Sequence, residues 1–256
     1  MFSAQKNVDF HLVYYEFVVD PVNDCFDIIR LMSNATSGFY DVFQPDCTIT
    51  SGSACTKRVL CDMTMEGGGW TVIQQRSSDS VEFFASWSEY KLGFGTDNDF
   101  WLGNEYVYSL TSRPSRTYEL LVVVDDTNGN RLVSRYGSFR LGPEATSYQM
   151  SYNTYSGNFS IDNLGPSRNQ RFGTYDVDTD ALPTVTCGTY WRSGWWFEPT
   201  CLETGNLNLP FAPMIASNPQ FRGILWRTDT ATMVRLVRTQ MKIRPTAPNV
   251  RVQLQT

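Results

Sequence analysis

Residues 61–76 read CDMTMEGGGWTVIQQR, a run of three glycines followed by seven residues that alternate in polarity. A glycine turn that gives way to a period of two predicts a strand. Thr71, Ile73 and Gln75 fall on one face and Val72, Gln74 and Arg76 on the other, so the strand is expected to be half-buried. Other segments take their places around it. YELLVVVDD (118–126) is apolar without alternation, short, rich in Val and closed by Asp-Asp-Thr-Asn-Gly. That pattern predicts a central strand covered on both faces. ATMVRLVRTQMKIRP (231–245) alternates again, with Met233, Arg235, Val237, Thr239, Met241 and Ile243 on one side and Pro245 as its stop. SWSEYKLGFG (86–95) and FWLGNEYVYSL (100–110) have the spacing of short helices. From 165 to 222 the chain turns rich in Gly, Pro and Asn and loses its period, which predicts loops, where binding residues concentrate.

The chain's bulk properties narrow the function classes. With 256 residues and 41% hydrophobic content, the chain is long enough to bury a core. A formal charge of −5 and a pI near 5.0 exclude a surface built to bind nucleic acid, which needs clustered Lys and Arg. No stretch reaches the ~20 apolar residues of a membrane-spanning helix, so no membrane insertion is expected. Six cysteines, Cys25, Cys47, Cys55, Cys61, Cys187 and Cys201, form no Cys-x-x-Cys pair, and the chain has one histidine, His11. Disulfides fit better than zinc. Six cysteines permit 15 connectivities, and the close spacing of Cys47 with Cys55 and of Cys187 with Cys201 favours local pairs without deciding among them. Disulfides imply an oxidising compartment. Sequons at Asn34 and Asn158 agree with secretion and glycosylation. The N-terminal 24 residues have no signal-peptide pattern, since Glu16 interrupts the apolar run and no small-residue cleavage site follows. A secreted, extracellular protein is expected on the strength of the cysteines.

Eight blocks carry a resemblance in order: CDMTMEGGGWTVIQQR, SWSEYKLGFG, FWLGNEYVYSLT, FGTYDVDTD, GWWFEPTC, GNLN, GILW and QMKIRP. Together they closely resemble the fibrinogen C-terminal domain of fibrinogen chains, ficolins, angiopoietins and tenascins. The resemblance implies an α+β fold: a disulfide-tied N-terminal subdomain (25–62), a central twisted antiparallel sheet with short helices (63–164 and 223–245), and a loop-rich C-terminal subdomain that binds calcium and ligand (165–222). Residues 1–24 are then an N-terminal segment or linker and 246–256 a tail. It also implies the pairs Cys25–Cys61 and Cys187–Cys201, which leaves Cys47 for Cys55.

DVDTD (176–180) places carboxylates at alternate positions just before Cys187. Such a segment can converge on one hard cation, since calcium accepts several oxygens at ~2.4 Å. An EF-hand does not fit, because its sixth and twelfth positions, Gly and Glu in that motif, are Ala181 and Cys187 here. The resemblance implies Ca2+ held by the side chains of Asp178 and Asp180 and the carbonyls of Leu182 and Thr184, with Asp176 in the outer shell or capping a turn. Such an ion is structural.

The resemblance further implies an acetyl-binding pocket beside that loop, at Thr186, Cys187, Tyr190, Trp191 and Leu202. Trp195 and Trp196 are read as core. The pocket departs from the family pattern: Leu202 replaces a His, Trp191 replaces a Tyr and Thr186 replaces an Asn, so the site becomes more apolar. Arg192 could offer donors to an anion. Two readings follow. The first is a calcium-dependent lectin for acetylated or anionic glycans in innate recognition; the second is a protein-binding module that docks a receptor or peptide. A homo-oligomer would form through a region beyond this sequence. Catalysis is not expected, since His11 stands in an aperiodic segment with no nucleophile motif nearby.

Overall fold

The computed structural model describes residues 21–45, 55–158, 160–202, 205–211, 223–224, 226–228 and 236–246. The expectations for His11, Cys47, most of the N-terminal segment and most of the tail lie outside these residues. In chain order the elements are helix α1 (Cys25–Leu31), strands β1 (Gly38–Phe43), β2 (Thr56–Asp62) and β3 (Trp70–Arg76), helix α2 (Trp87–Leu92), strands β4 (Phe94–Gly95) and β5 (Phe100–Trp101), helix α3 (Asn104–Thr111), strands β6 (Tyr118–Asp126), β7 (Arg131–Leu141), β8 (Met150–Ser151) and β9 (Thr154–Gly157), helix α4 (Cys187–Trp191) and strand β10 (Leu236–Pro245). None of the described helices is long and apolar enough to cross a membrane.

The sheet runs β1-β2-β3-β10-β6-β7-β8 and its pairings are antiparallel. The last strand in sequence, β10, inserts between β3 and β6, so Met241 faces Gln74 on one side and Val122 on the other. Thr239, Met241 and Ile243 are buried, while Val237 is exposed at the start of β10. β6 is covered on both faces: Leu120, Val122 and Val124 enter the main core, and Leu121 and Val123 join Trp70 in a smaller cluster on the other side. Each such side chain contributes roughly 1.5–3 kcal/mol by leaving water.

The half-buried expectation for β3 is corrected, because all seven of its residues are buried. Two of its polar side chains reach the C-terminal loops: Gln74 Nε2 donates to the Leu207 carbonyl at 3.0 Å and Arg76 donates to the Leu209 carbonyl at 2.9 Å. The helix expected over 100–110 begins only at Asn104, since Phe100 and Trp101 pair with β3 as a short strand. Ser86 caps α2 in reciprocal bonds with Glu89, and Gly93 ends it at φ 96°, where a Cβ would strike the Leu102 carbonyl. The chain just ahead of Cys25 also packs against the domain. Asn23 and Asp24 are buried, and the Val22 carbonyl accepts from the Phe43 N–H.

Cys25 bonds Cys61, and Cys187 bonds Cys201. Cys55 is disulfide-bonded too. Both sequon asparagines are exposed, but the Asn158 side chain is tied into β7, donating to the Arg131 carbonyl at 3.0 Å and accepting from the Val133 N–H at 2.9 Å.

Candidate functional site

The loop that precedes α4 is anchored at its start by an antiparallel bridge between Gly173 and Trp195. Asp176 turns away from its neighbours. Its Oδ1 accepts from the Trp87 N–H at 2.9 Å and the Thr174 hydroxyl at 2.7 Å, which satisfies one of the unpaired donors at the start of α2.

Asp178 and Asp180 stay together. The Asp180 N–H donates to Asp178 Oδ1 at 3.1 Å. The two Asp180 oxygens then accept from Leu182 N–H at 2.9 Å and from Cys187 N–H at 2.6 Å, which closes the loop onto the first residue of α4. Among the described residues no cation forms an ion pair with either carboxylate. No backbone N–H among them donates to the Leu182 or Thr184 carbonyls. A carboxylate has about four lone-pair directions, so both side chains keep accepting capacity after these bonds. Two unneutralised carboxylates and two unclaimed carbonyls suit a hard, oxygen-ligated cation. The Asp180 carboxylate also lies within 4.8 Å of the sulfurs of Cys187 and Cys201, yet both are spent in a disulfide and offer no thiolate.

Thr186 caps α4, its hydroxyl accepting from Thr189 N–H. Gly188 is required by close approach, because a Cβ there would lie 2.4 Å from the Thr174 backbone. Trp191 is half-buried, and its indole N–H donates to the Cys201 carbonyl at 3.0 Å, which fixes the ring against the disulfide. Tyr190 meets it edge-on with centroids 5.1 Å apart and stays 45% exposed. Leu202 is 73% exposed, held by its N–H to the Glu198 carboxylate. Burial works against the charge on Glu198, but bonds from Thr200 and Leu202 outweigh it and hold its pKa below the usual range. Arg192 does not reach into the site. Its guanidinium stacks on the Phe84 ring at 4.6 Å, and that ring touches Tyr175.

Of the five residues expected to line a pocket, Tyr190 and Leu202 present surface, Trp191 buttresses it, Thr186 caps the helix and Cys187 is buried in the disulfide. Trp195 and Trp196 are fully buried. Sequence reasoning did not find Tyr175 and Val185, which are 41% and 44% exposed. Of the eight large hydrophobic side chains most exposed among the described residues, four (Tyr175, Val185, Tyr190 and Leu202) belong to this subdomain. Their exposure carries no sequence signal, because an apolar residue in a loop reads as core.

The family model for the C-terminal globular domain of fibrinogen beta and gamma chains matches residues 22–246. The chain belongs to this family. It is 36% identical to human angiopoietin-related protein 7 over 227 residues, which cover 88% of this chain and 62% of that one. With bovine angiopoietin-4 it shares 37% identity over 223 residues, covering 87% of this chain and 42% of the relative. This member therefore spans between two-fifths and two-thirds of these relatives' length. Among solved structures it is similar to the fibrinogen-like globe domain of human ANGPTL6, at 34% identity and TM-score 0.77 over 90% of this chain and 97% of that one. Lamprey fibrin D-dimer, solved in complex with the peptide ligand Gly-His-Arg-Pro-amide, is similar at 26% identity and TM-score 0.71, covering 91% and 78%.

Proposed function

We propose that this fibrinogen-like domain is the recognition head of a secreted protein and that the face around α4 docks a protein partner. The observation that carries the reading is the exposed apolar set of Tyr190, Leu202 and Val185 on a disulfide-fixed scaffold. Rigid aromatic and aliphatic anchors of this kind dominate protein interfaces. The acetylated-glycan reading is the weaker one. Leu202 offers no hydrogen bond where the family pattern has a His, and an unpaired polar ligand group costs roughly 1–3 kcal/mol. The similarity to angiopoietin-named relatives and to a fibrin structure holding a peptide supports the same preference.

The decisive experiment measures binding of the folded domain to purified receptor ectodomains and, separately, to acetylated albumin. Saturable binding to an ectodomain is expected, weakened roughly tenfold or more by Leu202→Asp or Tyr190→Ala, as for a central anchor. Binding to acetylated albumin that is competed by free acetylated sugar and unaffected by these variants would overturn the reading.

Calcium, held by Asp178, Asp180 and the carbonyls of Leu182 and Thr184, is proposed as the ion that neutralises the loop and fixes it ahead of α4. A ligand bound only by the folded state stabilises it by about 2.7 kcal/mol at a hundred times its Kd. Calcium is therefore expected to raise the melting temperature and chelator to reverse the effect. Asp178→Asn keeps an acceptor for the Asp180 N–H but loses the charge, so it should abolish the calcium-dependent shift. Equal shifts for wild type and Asp178→Asn would refute the assignment.

A further inference from the structure

The fold treats the asparagines of the two sequons differently. Asn158 follows β9, and its side-chain amide takes the place of the next rung of the ladder. Its Oδ1 accepts from the Val133 N–H at 2.9 Å, its Nδ2 donates to the Arg131 carbonyl at 3.0 Å, and its own backbone N–H donates to the Val133 carbonyl at 3.2 Å. Both amide bonds reach the same edge of β7, so the donating hydrogen is the one beside Oδ1. An N-linked sugar takes that position, since a secondary amide places its substituent beside the oxygen as a trans peptide does. Sugar and ladder bond therefore exclude each other at Asn158.

Asn34 is open. It stands exposed in the turn between α1 and β1, and among the described residues no hydrogen bond holds its side chain. The turn is fixed without it: the Ala35 N–H donates to the Met32 carbonyl at 2.9 Å, and the Thr36 carbonyl accepts from the Tyr40 hydroxyl at 2.7 Å. Thr36, the hydroxyl residue of this sequon, is exposed as well. Just ahead stand Leu31 and Met32, 65% and 50% exposed, the one consecutive pair among the most exposed large hydrophobic residues described.

We infer that Asn34 carries an N-linked glycan, that Asn158 does not, and that the glycan covers Leu31 and Met32; this rests on the reading that the protein is secreted. The Asn34 Nδ2 attacks C1 of a lipid-linked oligosaccharyl pyrophosphate. The N–C1 bond forms as the C1–O bond breaks, the lipid pyrophosphate leaves with the electron pair, and the amide proton passes to a base of the host transferase. No bond of the turn is lost in the exchange. A bulky hydrophilic chain at this position takes the apolar pair out of contact with solvent and other proteins.

The test expresses the full chain behind a secretion leader in a eukaryotic host and reads each sequon by peptide mass spectrometry after peptide N-glycosidase in heavy-oxygen water. Label at position 34 and none at 158 is expected. A single band shift on glycosidase treatment should accompany it, abolished by Asn34→Gln or Thr36→Ala and kept in Thr36→Ser and Ser160→Ala. Dilute peroxide should then oxidise Met32 several-fold faster in Thr36→Ala than in the glycosylated protein, while the buried Met150 reacts equally in both. An unmodified Asn34, a glycan on Asn158, or equal oxidation of Met32 would overturn the inference. Chain retained by the cells is recovered from the endoplasmic reticulum and read at the same two sites, so a failure of secretion is told apart from a failure of modification.

Discussion

Trp196→Ala is expected to destabilise the domain by roughly 3–5 kcal/mol, the range for removing a buried aromatic side chain. Trp196 is fully buried where the C-terminal loops meet the central sheet. Its ring lies 5.1 Å from Phe172, 5.4 Å from Trp195 and 5.9 Å from Trp101, so one side chain joins the start of the acidic loop to β5. The indole N–H also donates to the Tyr148 carbonyl at 2.8 Å, which alanine would leave unpaired. Trp196→Phe should cost clearly less, because it keeps a ring in the cluster and loses the bond and part of the volume. Urea unfolding of the three proteins would measure this. A cost near 1 kcal/mol for alanine, of the order seen for surface changes, would mean that the loops are not held by this cluster.

How far the sequence reveals this molecule depends on whether a residue's partner is close in the chain. β6 was legible because an unbroken Val-rich run has few alternatives, and α2 because its spacing and its closing Gly93 are local. β3 was legible as a strand but not as a fully buried one. The loops that cover Gln74 and Arg76 arrive from residues 207 and 209, and nothing near 74 announces them. β7 was missed altogether, since RLVSRYGSFRL mixes arginines and a glycine into a strand where Arg131 and Arg135 are matched by carboxylates of β6 and by Glu66. In the candidate site, the alternate carboxylates were visible as a pattern. Their division of labour was not: Asp176 belongs to α2 through a contact 89 residues away, while Asp180 closes on Cys187.

Arg116→Ala is the second large effect, and pH makes it diagnostic. Asp24 and Asp27 stand at the start of α1, where Asp24 is its N-cap and fully buried. Arg116 bridges them, donating to Asp24 at 3.1 Å and to Asp27 at 2.6 Å, and the Tyr118 hydroxyl donates to Asp24 at 2.6 Å. Burial, and then the nearby Asp27, push the Asp24 pKa above the usual carboxylate value, with Arg116 among the groups acting against that rise. Removing the arginine leaves two buried carboxylates without their cation, a change that costs roughly 3–5 kcal/mol. Because the folded pKa of Asp24 lies above its unfolded value, its favourable contribution is complete at low pH and is lost as pH rises through the folded pKa. The variant raises that pKa further, so its penalty should be large near neutrality and shrink in mild acid, where Asp24 takes a proton. Thermal unfolding at neutral and mildly acidic pH would show the difference. A penalty independent of pH would mean that Arg116 acts through the packing of its stem, and that the N-terminal helix is held to the sheet by the Cys25–Cys61 bridge and apolar contact instead.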